Sequence, residues 1–234
     1  MTDVDGTLTD AQRRLDPGAM AAIRRLRAHG WPVILATGNV LPIALALHRS
    51  LGLQGPIVAE NGGLIYETFA GSERVTRLAR RSIALAAFRR ARRAGLDLRP
   101  LFTDRWRETE VAVEPTVPVR RVAVAANDPG VTIEGTGFAI HFMEKGCGKV
   151  PALRRVLRPL GLTLRDCLVA GDGDNDVAML REAGWAMSFR SGSPRARAAA
   201  DFVAPAPGAV GFVQGLKETG VYDGSPEPGT AECS

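Results

Sequence analysis

Short apolar runs alternate with helical segments near the start of the chain, and this alternation limits the folds that the chain can adopt. Residues 31–36 and 57–59 are compact apolar runs, as expected of strands that are buried on both faces. Helical segments run from Asp16 to Gly30 and begin again near Val40. Strands that alternate with helices in this way predict a parallel sheet with helices on both faces.

The middle of the chain follows a different pattern before the first one returns. Residues 74–94 predict an Arg-rich amphipathic helix or helix pair. Strand-like runs separated by turn residues then predict a small antiparallel sheet, at 98–102, 110–113, 121–125, 131–134 and 138–143. Helices are predicted again at 149–160, 175–183 and 208–217, and strands at 167–170, 185–189 and 201–203.

Together these patterns predict an α/β protein with a Rossmann-like parallel sheet core and an inserted small α+β domain. We expect residues 1–67 and 145–222 to form the core and residues 68–144 to form the inserted domain. The tail, residues 223–234, is rich in Gly, Pro and Ser, and we expect it to be disordered.

Arginine supplies almost all of the positive charge. The chain carries 30 Lys and Arg against 25 Asp and Glu, a formal charge of +5, and its lysines stand only at positions 145, 149 and 217. We interpret the excess as a solvated, Arg-rich surface. A nucleic-acid-binding protein is the alternative from another functional class, but Phe88 is the only aromatic residue among the arginines of 74–93. We therefore expect no nucleic acid among the partners.

Hydropathy and cysteine usage indicate where the protein resides. No apolar run approaches the ~18 residues of a membrane span, and the acidic first residues do not predict a signal peptide. Cys147, Cys167 and Cys233 lack zinc-ligand spacing, and so sparse a set is typical of a reducing compartment. We expect a cytoplasmic protein, monomeric or homodimeric, that does not bind membranes.

Two aspartates stand two residues apart near the start of the chain, in the segment Asp3-Val-Asp-Gly-Thr7. Side chains at positions i and i+2 of an extended segment point the same way, so Asp3 and Asp5 share a face, and Gly6 then lets the chain turn. A loop with two solvated aspartates is the alternative, and the Gly-Thr that follows argues against it.

A second acidic group follows an apolar strand, in Val169-Ala-Gly-Asp-Gly-Asp-Asn-Asp176. Its acidic side chains would repel one another at a dry strand–helix junction, and a hard cation such as Mg²⁺ relieves that repulsion. A calcium-type loop or a helix-cap cluster is the alternative. EF-hand spacing is absent, and capping explains at most one of these aspartates.

Two weaker signals suit a phosphate group. Thr37 ends a predicted strand before Gly38 and Asn39, where its hydroxyl and the backbone N–H groups of the turn could bind an anion. Lys149 opens a predicted helix in a chain that is poor in lysine. A buried threonine before a turn and a surface lysine are the alternatives for these positions.

In combination these segments resemble the haloacid dehalogenase (HAD) superfamily of phosphotransferases. Asp3-Val-Asp-Gly-Thr7 is similar to motif I, Thr37 to motif II, Lys149 to motif III, and Gly171-Asp172 with Asn175-Asp176 to motif IV. Glu60-Asn-Gly-Gly63, followed by an inserted α/β module, resembles the branch that carries a type C2 cap domain. The resemblance extends to about Lys217.

The resemblance implies a Mg²⁺-dependent phosphomonoester hydrolase that forms an aspartyl-phosphate. It implies that Asp3 is the nucleophile and that Asp5 is the general acid and base, with its backbone carbonyl on the metal. The implied metal ligands are Asp3, Asp5, Asp172 and Asp176. The implied phosphate-binding residues are Thr37, Gly38, Asn39 and Lys149.

A narrower resemblance is to archaeal phosphoglycolate phosphatases. It rests on Thr37-Gly-Asn39, Asp104-Arg-Trp-Arg-Glu108 and the run from His141 to Lys149, and it implies hydrolysis of 2-phosphoglycolate to glycolate. Because arginine grips carboxylates bidentately, we expect Arg105 or Arg107 to bind a substrate carboxylate. A structural loop is the alternative for this segment. The alternative activities are those of a related sugar-phosphate phosphatase or a phosphomutase.

Two expectations concern the remaining features. Only Met1 and Thr2 precede Asp3, whereas a strand normally needs about five residues. We therefore expect either an upstream start or a shortened central strand. The three histidines, at positions 29, 48 and 141, show no partner pattern, and we expect core or surface roles for them.

Overall fold

A computed structural model of the protein describes residues 1–69 and 71–222. The chain forms two compact units, the first from residues 1–35, 46–55 and the chain from Leu164 onward, the second from residues 36–45 and 56–163. The predicted disordered tail lies outside the described residues, and the predicted boundaries of core and inserted domain stay a prediction. In the part of the chain that the structure describes, no helix is long and apolar enough to cross a membrane.

A parallel sheet organises the first unit, with strands in the order β10, β9, β8. Its strands are β8 (Leu168–Ala170), β9 (Trp185–Phe189) and β10 (Phe202–Ala204), and its helices are α1 (Pro17–Ala28), α6 (Val177–Glu182), α7 (Pro194–Ala199) and α8 (Gly208–Glu218). The predicted start of α1 is confirmed, because the Asp16 carboxylate accepts a hydrogen bond from the N–H of Ala19 at 2.9 Å.

The start of the chain joins this unit through single-residue pairing. Thr2 forms parallel bridges to Leu35 and to Ala170. The N–H of Asp3 donates to the carbonyl of Ala170 at 3.0 Å, and the Met1 amine donates to Leu168 O at 2.7 Å. Burial lowers the pKa of that amine to about 6. These bonds place Asp3 beside the carboxyl end of β8, where parallel sheets bind ligands.

The strand predicted over residues 31–36 is shorter than expected. The N–H of Trp31 donates to Leu26 O and closes the end of α1, and Pro32 has no N–H to offer to a sheet. Regular pairing therefore begins only at β1 (Leu35–Ala36), and the Trp31 side chain is 49% exposed.

Strands β2, β3 and β4 of the second unit pair antiparallel. They belong to a sheet in the order β1, β2, β3, β4, in which only Ala36 of β1 is assigned to this unit. The strands are β2 (Ile57–Ala59), β3 (Leu64–Phe69) and β4 (Ser72–Arg77), and the helices are α3 (Arg81–Arg93) and α5 (Lys149–Leu157). Helix α2 (Leu41–Ser50) begins in this unit and ends in the other. The helix predicted over 74–94 is wrong in its first part, because residues 74–77 pair with β3, where Arg74 forms a cross-strand ion pair with Glu67.

The predicted small antiparallel sheet is confirmed, with strands in the order β5, β7, β6. Its elements are β5 (Val111–Val113), β6 (Val131–Gly135), β7 (Ile140–Glu144) and helix α4 (Val119–Ala126). With α3 they form an apolar core. In this core the rings of Phe88 and Phe142 pack edge to face, with 5.9 Å between their centres. The strand predicted over 98–102 reduces to one bridge, between Pro100 and Val113.

The strand predicted over residues 121–125 is wrong, because this segment is α4. Val122 and Ala126 stand one helical turn apart and are both buried, whereas Val124 is 73% exposed. In a strand, positions 122 and 124 would share a face. The alternating sequence suits either structure, and burial of Val122 in the core that includes α3 stabilises the helix.

Val122→Ala and Val124→Ala test this assignment. Val122→Ala is expected to lower the free energy of unfolding by about 2 kcal/mol, because it removes two buried methyl groups and leaves a cavity. Val124→Ala is expected to change it by less than about 0.5 kcal/mol, because the side chain is exposed and alanine favours helix. Urea unfolding followed by circular dichroism measures both, and equal losses would contradict the helical register.

Candidate active site

Three aspartates of the first unit converge at the carboxyl edge of its parallel sheet. One carboxylate oxygen each from Asp3, Asp172 and Asp176 lies within 4.8 Å of the other two. Asp3 is 6% exposed and Asp176 is completely buried. Asp172 is partly exposed. Ionised carboxylates this close together, two of them buried, repel one another unless a cation lies between them. The cluster therefore has the composition and spacing of a cation site.

Two glycines allow the carboxylates to approach the backbone. Gly6 has a left-handed φ of 77°, and a β-carbon there would overlap with the carboxylate of Asp172. A β-carbon on Gly171 would lie 2.7 Å from the side chain of Asp176. The predicted turn at Gly6 is therefore confirmed. Because glycine has no β-carbon, Gly6 leaves room for the side chain of Asp172 and Gly171 leaves room for that of Asp176.

Hydrogen bonds orient two of the three carboxylates. Asp176 Oδ2 accepts from the N–H groups of Asp172 at 3.1 Å and Gly173 at 2.9 Å. The buried Thr7 hydroxyl donates to Asp172 Oδ1 at 3.1 Å. Thr7 was not among the predicted site residues, although it stands in the same short segment as Asp3. The donor set consists of oxygen atoms, which suits a hard divalent cation.

The other acidic residues of the two motifs lie apart from this cluster. The Asp5 carboxylate forms an ion pair with Arg13 at 2.9 Å. The contact between the backbone carbonyl of Asp5 and a metal ion stays a prediction. Asp174 is exposed, accepts a hydrogen bond from the Ser193 hydroxyl at 2.6 Å and pairs with Arg195 at 3.3 Å.

In the second unit, the predicted phosphate-binding turn at residues 37–39 is fixed by its neighbours. The N–H of Thr37 donates to Val58 O at 2.8 Å, and the Thr37 hydroxyl accepts from the N–H of Asn39 at 3.0 Å. Asn61 donates through its N–H to Thr37 O at 3.1 Å. Its side chain covers Gly38 so closely that a β-carbon there would lie 2.9 Å from Asn61 Oδ1.

A strained turn holds Asn61 in place. Glu60, Asn61 and Gly62 have φ values of 49°, 52° and 96°, and the left-handed region is costly for the two residues that are not glycine. The buried Glu60 carboxylate accepts from the N–H groups of Glu108 at 2.9 Å and Thr109 at 2.8 Å, and from the Thr109 hydroxyl at 2.6 Å. Burial raises the pKa of Glu60 although these bonds lower it.

Lys149 lies next to this turn as the first residue of α5. A β-carbon on Gly62 would overlap with the carbonyl oxygen of Gly148, so the turn packs directly on the start of the helix. The Lys149 side chain is buried. Since the helix dipole disfavours a cation at this end, a buried lysine here favours a role in binding an anion.

The two predicted substrate-binding arginines have different surroundings. Arg107 is buried, donates from Nη1 to Gly38 O at 3.0 Å and forms a close ion pair with Glu110 through the same nitrogen. Arg105 is exposed and lies over the Phe102 ring, 4.2 Å from its centre. The structure therefore connects Arg107, and not Arg105, with the turn that contains Thr37.

Glu110 is the centre of a buried polar network that sequence analysis missed. Besides Arg107, its carboxylate contacts the Asn61 amide at 3.1 Å and His141 Nδ1 at 3.0 Å. Burial by itself raises the pKa of Glu110, but the charges of Arg107 and His141 together with the hydrogen bonds hold it below its usual value. His141 lies in the interior, one of the two places expected for it, but its partner Glu110 gave no sequence signal.

The surroundings of Cys147 disfavour its thiolate form. Burial raises the pKa of its thiol to about 12, with further contributions from nearby carboxylates that include Glu110. A thiol with this pKa remains protonated near neutral pH, and the thiolate is the reactive form.

The family model of the haloacid dehalogenase-like hydrolases matches residues 1–83 and 124–215. The chain belongs to this family. The phosphoglycolate phosphatase of Methanothermobacter thermautotrophicus is 33% identical over 215 residues, which cover 92% of this chain and 95% of that protein. The phosphoglycolate phosphatase of Natronomonas pharaonis is 35% identical over 217 residues, which cover 92% and 94%.

A solved structure agrees with this assignment. The crystal structure of Thermoplasma acidophilum 0175 has a TM-score of 0.83 and 27% identity, and the match covers 94% of this chain and 97% of that one. The predicted α/β fold of the haloacid dehalogenase type is therefore confirmed. This haloacid dehalogenase-like hydrolase is a phosphoric monoester hydrolase, and its substrate is a small phosphorylated molecule.

Gly62→Ala tests the packing of the strained turn on α5. It is expected to lower the free energy of unfolding by about 3 kcal/mol or more, because a left-handed alanine is strained and its β-carbon also overlaps with Gly148. Gly146→Ala is the matched control, because Gly146 has a φ of 85° but no atom within 4 Å of its β-carbon position, and about 1 kcal/mol is expected there. Urea unfolding measures both, and equal losses would contradict the close approach.

Proposed function

We propose that this chain is a Mg²⁺-dependent phosphatase that hydrolyses 2-phosphoglycolate to glycolate and phosphate. The observation that carries the proposal is the convergence of Asp3, Asp172 and Asp176 at the carboxyl edge of the parallel sheet. The two phosphoglycolate phosphatases, which match more than nine-tenths of the chain, support this choice of substrate.

The three aspartates would hold the metal ion, with the backbone carbonyl of Asp5 as a further ligand that the family resemblance implies. Their oxygen donors and short mutual distances fit a small, hard cation. When bound, Mg²⁺ supplies charge neutralisation, so that a carboxylate can approach a phosphate dianion.

Asp3 and Asp5 would perform the covalent chemistry. The Asp3 carboxylate attacks phosphorus and forms an aspartyl-phosphate, while the ester oxygen departs with a proton from Asp5. Asp5 then removes a proton from water, and this water attacks the phosphorus of the aspartyl-phosphate. The second step releases inorganic phosphate and restores the Asp3 carboxylate.

Thr37 and Lys149 would bind the phosphoryl oxygens, together with the backbone of Gly38 and Asn39. Donors that are already oriented stabilise the charge that develops on these oxygens. The bonds from Thr37 to Val58 and from Asn61 to Thr37 support this role, because they fix the turn before substrate arrives. We also propose that the enzyme is cytoplasmic, monomeric or homodimeric, and without a nucleic-acid partner.

A panel of phosphate esters assayed with Mg²⁺ tests the proposal. The value of kcat/KM is expected to be highest for 2-phosphoglycolate, by about tenfold or more over glucose 6-phosphate, since a tenfold preference needs only about 1.4 kcal/mol of differential binding. A preference for sugar phosphates would support the alternative phosphatase, and an isomerised sugar phosphate would indicate a phosphomutase. Absence of turnover for every ester would overturn the proposal.

Asp3→Asn is expected to abolish turnover, by roughly 10⁴-fold or more, because an amide is a far weaker nucleophile than a carboxylate. The fold is expected to persist, since the substitution keeps the size of the side chain. Steady-state kinetics and the circular dichroism spectrum measure the two effects. Robust residual activity in a folded variant would exclude Asp3 as the nucleophile.

Mg²⁺ is expected to raise the Tm of the wild-type protein relative to a sample in chelator, because a cation relieves the repulsion within the cluster. At a concentration of 100 times Kd, the stabilisation amounts to about 2.7 kcal/mol. Asp172→Asn is expected to lose most of this effect. Asp174→Asn is the matched control, because Asp174 belongs to the same acidic segment but not to the cluster. Scanning fluorimetry compares the three proteins, and an unchanged response of Asp172→Asn would contradict the assigned site.

A further inference from the structure

We infer that Arg107 binds the carboxylate of the substrate and thereby selects carboxylated phosphate esters. This inference rests on the proposed function and specifies one part of it. It also selects Arg107 over Arg105, since the sequence alone did not decide which of the two binds the carboxylate. Arg107 would be a specificity-determining residue, and the residues that fix its guanidinium would be positioning residues.

The guanidinium of Arg107 donates hydrogen bonds to described residues only from its Nη1 atom. Both of its hydrogen bonds to described residues leave from Nη1, toward Gly38 O and Glu110. Its Nε is completely buried and has no hydrogen-bond partner among the described residues, and the whole side chain is only 4% exposed. A buried donor without a partner is costly. The Nε and Nη2 edge forms a planar fork that matches a carboxylate, so this edge predicts an anionic ligand.

The backbone around Arg107 is fixed on both sides. Glu60 accepts the N–H groups of the next two residues, Glu108 and Thr109. Arg81 donates to the carbonyl of Arg107 and forms an ion pair with Asp104 at 2.7 Å. An arginine held in this way loses little conformational entropy when it binds a ligand, which increases both affinity and geometric selectivity.

Arg107 is also attached to the turn proposed to bind phosphate. Its bond to Gly38 O joins it to the residue that follows Thr37. In 2-phosphoglycolate, one methylene group and the ester oxygen separate the carboxylate from phosphorus. A substrate with its phosphoryl group at Thr37 therefore carries its carboxylate on a short tether, which suits an arginine connected to the same turn.

Two observations favour Arg107 as the residue that selects the substrate. Arg105 is exposed over Phe102, where a solvated charge contributes little to selective binding. Residues 84–123, which include Arg107 and Glu110, lie outside the match to the family model. A residue in this segment therefore suits recognition of one substrate better than the phosphoryl-transfer chemistry that the family shares.

Arg107→Lys tests the inference, because lysine keeps a charge beside Glu110 but has no planar fork. The test compares kcat/KM for 2-phosphoglycolate with that for ethyl phosphate, which has no carboxylate. The ratio of the two values is expected to fall by about 30-fold in Arg107→Lys, the range of a lost charge-assisted hydrogen-bond pair. Arg105→Lys is the matched control and should keep the wild-type ratio.

The outcomes separate this inference from the proposed function. Equal losses on both esters in Arg107→Lys would assign a structural role to Arg107 and overturn the inference. A wild-type protein that hydrolyses both esters equally well would also overturn it, while the phosphatase activity would stand. A wild-type protein that hydrolyses neither ester, nor any other phosphate ester, would be a failure of the proposed function itself.

A second variant keeps the test decisive if Arg107→Lys does not fold. The double variant Arg107→Gln with Glu110→Gln removes both buried charges together, so neither is left without its partner. The same fall in the ratio is expected, because the fork is again absent. An unchanged ratio in this double variant would overturn the inference.

Discussion

Repulsion among Asp3, Asp172 and Asp176 is the constraint to which the rest of the first unit is adapted. A folded chain brings buried carboxylates together only if covalent geometry and hydrogen bonds hold them there. Here the Thr2 bridge to Ala170 sets the position of Asp3, and backbone N–H groups hold Asp176. A cation held there, as proposed, would offset this repulsion, so the residues that repel one another in the metal-free protein are also the ones that would create its affinity for the metal.

The second unit contains two buried glutamates, and their surroundings shift their pKa values in opposite directions. Glu60 accepts hydrogen bonds from neutral groups, and burial raises its pKa. Glu110 is also buried, but Arg107 and His141 hold its pKa below the usual value. Glu110 therefore stabilises the fold above its unfolded pKa, and this contribution is lost as the pH falls through its folded pKa. The contribution of Glu60 is present below its unfolded pKa and is lost as the pH rises through its folded pKa.

Local signals explain what the sequence could predict. The Asp16 cap and the two acidic segments depend on residues that are close neighbours in the chain, so their spacing is readable. The Glu110 network depends on contacts with His141 and Asn61, which are 31 and 49 positions away from Glu110 in the sequence. No local sequence pattern indicates contacts over such separations. Helix α4 was missed for the same reason, because its alternating sequence suits a strand until Val122 packs in the core that includes α3.

The positions of these contacts also indicate how selectivity could change while the chemistry stays the same. The donors that orient Asp172 and Asp176 are Thr7, Gly173 and the backbone of Asp172, all within the family match. Arg107 and Glu110 lie in the unmatched segment, but that segment is anchored by Glu60 and Asn61 from the matched part. The inferred binding of a carboxylate by Arg107 therefore depends on the N–H groups that this segment offers to Glu60 and on the partner that it offers to Asn61. The strain of the turn at residues 60–62 is consistent with this anchoring role, since strained backbone persists where the surrounding contacts fix it.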